Sequence, residues 1–162
     1  MTTTPTIATI GTNYYVGFQG KMDLDHEKNA ALWSQLMPRR SEIKEMIDTS
    51  LYSIALYDPE YFDAYQPERP FERWAAVRVD EHAFVPNGMQ KLCVPSGQYA
   101  VFEHHGPMSG IQSTFDYIFD QWLPASGYTI DQRPHIAEMD ERYRPDQSDS
   151  VEHLYIPVRR LD

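Results

Sequence analysis

Hydrophobic and polar positions change period along this chain, and the changes mark out eight elements. Residues 6–20, TIATIGTNYYVGFQG, are dense in β-branched and aromatic side chains and close on Gly20, which predicts a strand. Within 25–47 the apolar residues Ala30, Trp33, Leu36 and Met37 recur at helical spacing. Asp25 is a suitable N-cap there, and Pro38 should end or kink the helix. LYSIALYD (51–58) and FERWAAVRV (71–79) read as two strands joined by a Pro-rich, acidic loop. The order then recurs. QYAVFEHHG (98–106) is a strand, and 108–123 a helix with Ile111, Phe115, Ile118, Phe119 and Trp122 on one face. HIAEMDERY (135–143) and VEHLYIPVRR (151–160) are two further strands.

The recurrence extends to residues. Tyr15 and Phe18 match Tyr99 and Phe102, and LWSQLMP matches IFDQWLP through Gln35/Gln121 and Pro38/Pro124. IALYDPEY and IAEMDERY share four of eight positions, and Val77-Arg78 returns as Val158-Arg159. Each second copy lies 81 to 86 residues after the first, so short insertions reconcile all four matches. An internal duplication follows, with repeat 1 at about 6–80 and repeat 2 at about 92–161 of a single domain, 1–162. The predicted fold is α+β: two pseudo-twofold-related strand–helix–strand–strand modules with antiparallel sheet and a central ligand groove.

Composition narrows the function. The 162 residues suffice for a buried core, and 41% hydrophobic with 13% aromatic residues fit a folded globule. The net charge of −10 opposes direct binding to nucleic acid and would concentrate cations at the surface. One cysteine, Cys93, excludes an internal disulfide and a cysteine-based metal site. The N-terminus lacks the basic and apolar regions of a signal peptide, and no stretch is long enough to span a membrane. A cytoplasmic protein without membrane contact is expected.

The segment VPSGQYAVFEHHGPMSGIQSTFDYIFDQWLPASGY, followed by RPHIAEMDERY and VEHLYIPV, resembles the GyrI-like domain. This is also the effector-binding domain of AraC-family and BmrR-type regulators. The shared features are the Gly ahead of YAVF, the His and Gly after it, the WLPASGY helix end and the closing YIPV strand. The N-terminal half matches through YYVG, LYD and WAAV. The resemblance implies a central groove for small molecules. In drug-sensing members the groove takes bulky, aromatic, often cationic compounds by ring stacking and a buried carboxylate. Other members are gyrase inhibitors, and a further branch hydrolyses cyclopropane-containing DNA alkylators. The length leaves no room for a helix-turn-helix beside the duplicated unit, so a free-standing member is expected.

Strand alternation selects candidate ligand contacts. Leu154, Ile156 and Val158 should meet the helices, so His153 and Tyr155 should face the groove. His153 stands where many family members carry an acid. Aligning the repeats puts Glu72 opposite His153 and Trp74 opposite Tyr155, so Glu72 and Trp74 should line the other half of the groove. A carboxylate beside an indole suits a cation. Ile136, Glu138 and Asp140 share a face, and two neighbouring acids there would raise at least one pKa. For Asp140 an exposed edge strand is the preferred reading. Tyr15, Tyr57 and Tyr99 are candidate aromatic walls, and Trp122 a packing residue. His104 and His105 are adjacent on a strand and point to opposite faces, which makes a poor metal pair.

These features favour binding of aromatic, cationic small molecules, with no cofactor and no metal. The alternative is a hydrolase of cyclopropanoid alkylators, with Glu72, Glu138 and Tyr155 as its residues. No nucleophile elbow, phosphate loop or metal motif demands catalysis, so that alternative rests on the resemblance. A third reading is interaction with a protein partner such as gyrase or a regulator.

Overall fold

The computed structural model describes residues 4–64 and 66–161. Nine strands and two helical bodies follow in the order β1 (Thr6–Ile10), β2 (Asn13–Met22), α1 (Asn29–Leu36), β3 (Leu51–Leu56), β4 (Phe71–Val79), β5 (Gln90–Val94), β6 (Gly97–His105), α2 (Ile111–Asp116), α3 (Leu123–Ser126), β7 (Tyr128–Ile130), β8 (His135–Met139) and β9 (Val151–Arg160). The sheet runs β1-β6-β9-β8-β3-β4-β2-β5, and β7 pairs with the far end of β9. Every pairing is antiparallel. The α+β architecture expected from the duplicated pattern is therefore present.

The strand order is a palindrome of the two repeats. Outward from the centre, β8-β9-β6 of the second half mirrors β3-β4-β2 of the first. The halves join edge to edge where Ile54 pairs with Ile136 and Ser53 with Ala137. Each half also lends its leading strand to the other. β1 adds to β6, where Thr6 faces Val101, and β5 adds to β2, where Asn13 faces Val94. This exchange corrects the single strand expected over 6–20. That run breaks at Gly11-Thr12, and its two pieces belong to opposite ends of the sheet.

Helices cover one face. Leu32 and Leu36 of α1 join Val16, Ala55, Ala75 and Val77 in one core cluster. In the other cluster Ile118 joins Ala100, Phe102, Leu154, Ile156 and Val158, as the alternation in β9 predicts. Each Leu, Ile, Val and Phe among them stabilises the fold by about 1.5–3 kcal/mol through burial. Tyr15, Tyr52, Ile54, Trp74, Ala76 and Ile136 form a third cluster on the opposite, helix-free face.

The helices differ from the expected spans for local reasons. The first is α-helical only to Leu36 and tightens to a 3-10 turn over Met37–Glu42, because Pro38 has no N–H to continue the α ladder. Asp25 does not cap it. The helix begins at Asn29 without a side-chain cap, while Asp23 accepts the His26 N–H at 2.7 Å in the turn before. The second helical body runs from Ile111 to Ser126 with a π segment, Tyr117–Trp122, between α2 and α3. Gly127 ends it at φ 82°, in the left-handed region that glycine enters without a Cβ penalty.

Candidate functional site

On the helix-bearing face the two halves leave a groove of about 610 Å³ over their junction, a volume within the range of small-molecule sites. Its floor is the centre of the sheet. Ser53 and Ala55 of β3, His135 and Ala137 of β8, and Leu154 and Ile156 of β9 all line it. Several of these side chains are small, which leaves space beneath the helices. Ile111, Phe115 and Phe119 of the second helical body form one wall. The β3–β4 connection supplies Tyr57, Tyr61 and Phe62 to the other.

The rings form a column. Phe115 stacks on Phe119 with centroids 6.3 Å apart, Phe119 on Phe62 at 5.5 Å, and Phe62 on His135 at 5.3 Å. Each neighbouring pair is within about 22° of parallel, the offset-stacked geometry that aromatic systems favour. Phe62 is 41% exposed, so this ring is the accessible member of the column. Tyr57 meets both Phe62 and His135 edge-on. Burial, reinforced by Arg133, pushes His135 down to about 3, so its imidazole stays neutral at ordinary pH. Burial likewise pushes the Tyr57 phenol up to about 12.

Charge enters the groove at two levels. Glu27, Asp116 and Asp120 are exposed residues along the lining. Deeper, Arg73 of β4 lies beside β3, where its Nη1 donates to Ser53 Oγ at 2.9 Å. Its guanidinium also sits 5.2 Å from the centroid of the Phe71 ring. Glu152 follows the alternation of Leu154 onto the same side of β9 and is 4% exposed. Burial, opposed by the attraction of Arg73, pushes the Glu152 carboxyl up to about 7. Its cross-strand neighbour His104 is fixed through both ring nitrogens, to Thr114 Oγ1 at 2.6 Å and the Pro107 carbonyl at 3.0 Å. His104 is therefore a structural histidine.

The residues selected from sequence divide between the two faces. Tyr57 lines the groove. Glu72, Trp74, Glu138, His153, Tyr155, Tyr15 and Tyr99 do not line it. The 610 Å³ groove opens on the helix side, between the helical bodies, while Glu72 and Tyr57 line a smaller cavity of about 230 Å³ with Lys21 and Asp58. Trp74 Nε1 donates to Glu72 Oε2 at 2.8 Å, so this carboxylate and indole do meet. Tyr15 packs edge-on against Tyr52, and Tyr99 against Tyr155. Glu138 accepts from Ser50 Oγ and Tyr155 Oη, both at 2.9 Å. Tyr52 donates to Asp48 at 2.6 Å and lies 3.4 Å from Glu138. Burial and then these carboxylates hold the Tyr52 and Tyr155 phenols above their ordinary value.

His153 Nε2 lies 3.2 Å from both Glu103 Oε2 and Arg142 Nη2, and Nδ1 is 3.9 Å from Asp140. Asp140 is not the raised acid of a like-charged pair. Burial would raise it, but the Arg142 side chain and backbone N–H hold it below the usual carboxylate range. The strand leading to it is central, between β3 and β9, and not an edge. Trp122 packs on Phe102 as expected. Among the described residues no group of three or more His, Cys, Asp or Glu could hold a metal ion. No described helix is long and apolar enough to cross a membrane.

Sequence reasoning missed Arg73, Phe62 and Glu152. Arg73 and Glu152 were legible in principle, since each lies on the helix-facing parity of its strand. Phe62 sits in a 3-10 turn, Tyr61–Asp63, where no periodicity assigns a face.

The fold and groove define a small-molecule-binding module. The chain belongs to the family described as the GyrI-like small molecule binding domain, whose model matches residues 3–159. It is 30% identical over 156 residues to the transcriptional regulator BrlR of Pseudomonas aeruginosa, covering 95% of this chain and 53% of that protein. The chain thus spans about half the length of that curated relative. Among solved structures, SAV2435 bound to tetraphenylphosphonium superposes with a TM-score of 0.73 at 11% identity, over 96% of this chain and 93% of that one. EcmrR in a DNA complex gives 0.68 at 12% identity, over 97% of this chain and 57% of that one. A hydrolase from Listeria innocua gives 0.56 at 12% identity, over 96% and 92%.

Proposed function

We propose that this protein binds aromatic small molecules in the groove, with the flat body of the ligand against the ring column and a cationic portion toward its acidic residues. The observation that carries this reading is the run Phe115–Phe119–Phe62–His135 along a 610 Å³ space. Stacked faces accept another flat π system, and Phe62 can move without exposing the core because it is already 41% exposed. Glu27, Asp116 and Asp120, together with the net charge of −10, favour a ligand carrying positive charge. The bound tetraphenylphosphonium of SAV2435, an aromatic cation, supports the same class.

Binding without turnover fits better than hydrolysis. A hydrolase built on Glu138 or Glu72 would need one of them free to activate water. Glu138 accepts from two hydroxyls and Glu72 from an indole N–H, on strands whose polar partners already engage them.

Titration with the cationic dye rhodamine 6G, followed by fluorescence anisotropy, tests the proposal. Wild type is expected to bind in the micromolar range, and Phe62→Ala to lose at least tenfold in affinity while its Tm shifts little. Failure of folded wild type to bind either this dye or its free carboxylic acid would overturn the reading. Unchanged affinity in Phe62→Ala would remove the ring column from it.

A further inference from the structure

The groove lining includes one cationic side chain, Arg73 of β4. Arg73 brings a guanidinium with five N–H donors and no acceptor. Its one hydrogen bond given by the geometry goes to a neutral hydroxyl, Ser53 Oγ. Its Nε is buried without a hydrogen-bond partner. Among the described residues no carboxylate lies within 4 Å of the guanidinium. Glu152 influences it only at a distance, and burial keeps much of that carboxyl protonated near neutral pH. An unpaired guanidinium beneath an apolar, aromatic lining is costly unless something supplies its counter-charge. Among the described residues Arg40 and Arg69 also lack a carboxylate partner, but they donate to backbone carbonyls through exposed hydrogen bonds, whereas the Arg73 Nε is buried.

We infer that Arg73 and Ser53 form an anion-docking point at the inner end of the groove, and that the preferred ligand is an aromatic carboxylate. This rests on the small-molecule reading above and adds the polarity of the ligand. A planar carboxylate matches the guanidinium fork through paired N–H donation. The Ser53 hydroxyl already accepts from Arg73, so its own hydrogen is available to donate to a second carboxylate lone pair. With exposed acids along the lining and a cation at the floor, the groove selects a dipolar molecule: carboxylate inward, cationic group outward. Such a ligand satisfies both levels of charge, whereas a simple cation leaves Arg73 unpaired.

The test compares rhodamine 6G, a carboxylic ester, with the free carboxylic acid of the same dye. Both keep the flat cationic xanthene, so the comparison isolates the carboxylate. The free acid is expected to bind wild type at least tenfold more tightly than the ester. In Arg73→Met that ratio should collapse toward one, and in Arg73→Lys it should be intermediate, since the point charge remains without the fork. Equal affinity for both dyes, or preference for the ester, would overturn the inference with no variant needed. A preference that persists in folded Arg73→Met would also overturn it. If the ester binds and the acid does not, the inference fails while the small-molecule reading stands. If neither dye binds, both fail.

Discussion

At the scale of single residues, Glu152 gives the sharpest prediction. It is 4% exposed, and burial lifts its carboxyl from the ordinary 4.5 to about 7, against the pull of Arg73. The folded state therefore holds the proton more tightly than the unfolded chain. By linkage, this group costs nothing below about 4.5, and its penalty grows as pH rises from there to about 7 and is constant above. The full penalty is roughly 3 kcal/mol. Glu152→Gln keeps the shape and removes the titration. Chemical denaturation should find it more stable than wild type by about 2–3 kcal/mol at pH 8, with the difference shrinking toward zero near pH 4.5. A difference that does not vary with pH would refute this account. Arg73 and Tyr143 interact electrostatically with this carboxyl, and its cross-strand neighbour His104 is already engaged at both ring nitrogens. Glu152 was within reach of the sequence, because it is two residues before Leu154 and shares its face. Choosing the opposite parity for the groove passed over it along with Arg73. Alternation defines two faces but does not say which one will be left with a space.

At the scale of elements, β2 and β4 approach at Gly17 more closely than any side chain permits. Gly17 pairs with Ala76, and a Cβ at position 17 would collide with the Ala75 carbonyl and the Ala76 Cα. Those are backbone atoms of a central strand and have no rotamer to relieve the clash. Gly17→Ala should therefore destabilise the fold by on the order of 3 kcal/mol, the upper range for overpacked sites. A shift in urea midpoint at unchanged m-value would report it, and a loss under about 1 kcal/mol would show that the strands can part. Much of the element map was readable. FERWAAVRV and VEHLYIPVRR coincide with β4 and β9 residue for residue, because each is a continuous apolar, β-prone run bounded by polar loop residues. The helices were less legible. Pro38 was recognised as a terminator, but the 3-10 continuation depends on tertiary packing. The π segment at Tyr117–Trp122 carries the same apolar face as an α-helix and leaves no mark in the pattern. It contributes Phe119 and Asp120 to the groove lining. The break between β1 and β2 was hidden inside one β-prone run, where only Gly11 interrupts the strand signal.

At the scale of the whole molecule, the mirrored strand order does not make two independent halves. Each half has its own core under its own helix, centred on Leu36 in one case and Phe102 in the other. Yet β1 completes the edge at β6, β5 completes the edge at β2, and β3 pairs with β8 at the centre. The groove floor spans that central seam, with Ser53 and Ala137 from different halves. A cut in the connection between β4 and β5 separates all three pairings at once. The resulting fragments, 1–88 and 89–162, each approach the size below which a core alone gives little net stability. Each would also expose unpaired strand edges. Either fragment produced alone should therefore lack a cooperative unfolding transition and aggregate. Produced together, they should co-purify at one to one, unfold cooperatively and bind the dye, because every lost pairing is intermolecular and can re-form. Size-exclusion chromatography with light scattering and thermal unfolding measure both arms. A fragment that folds cooperatively by itself would show that strand exchange and the central seam are ornamental to stability. The duplicated unit would then be a domain in its own right, and the groove a contact between two of them.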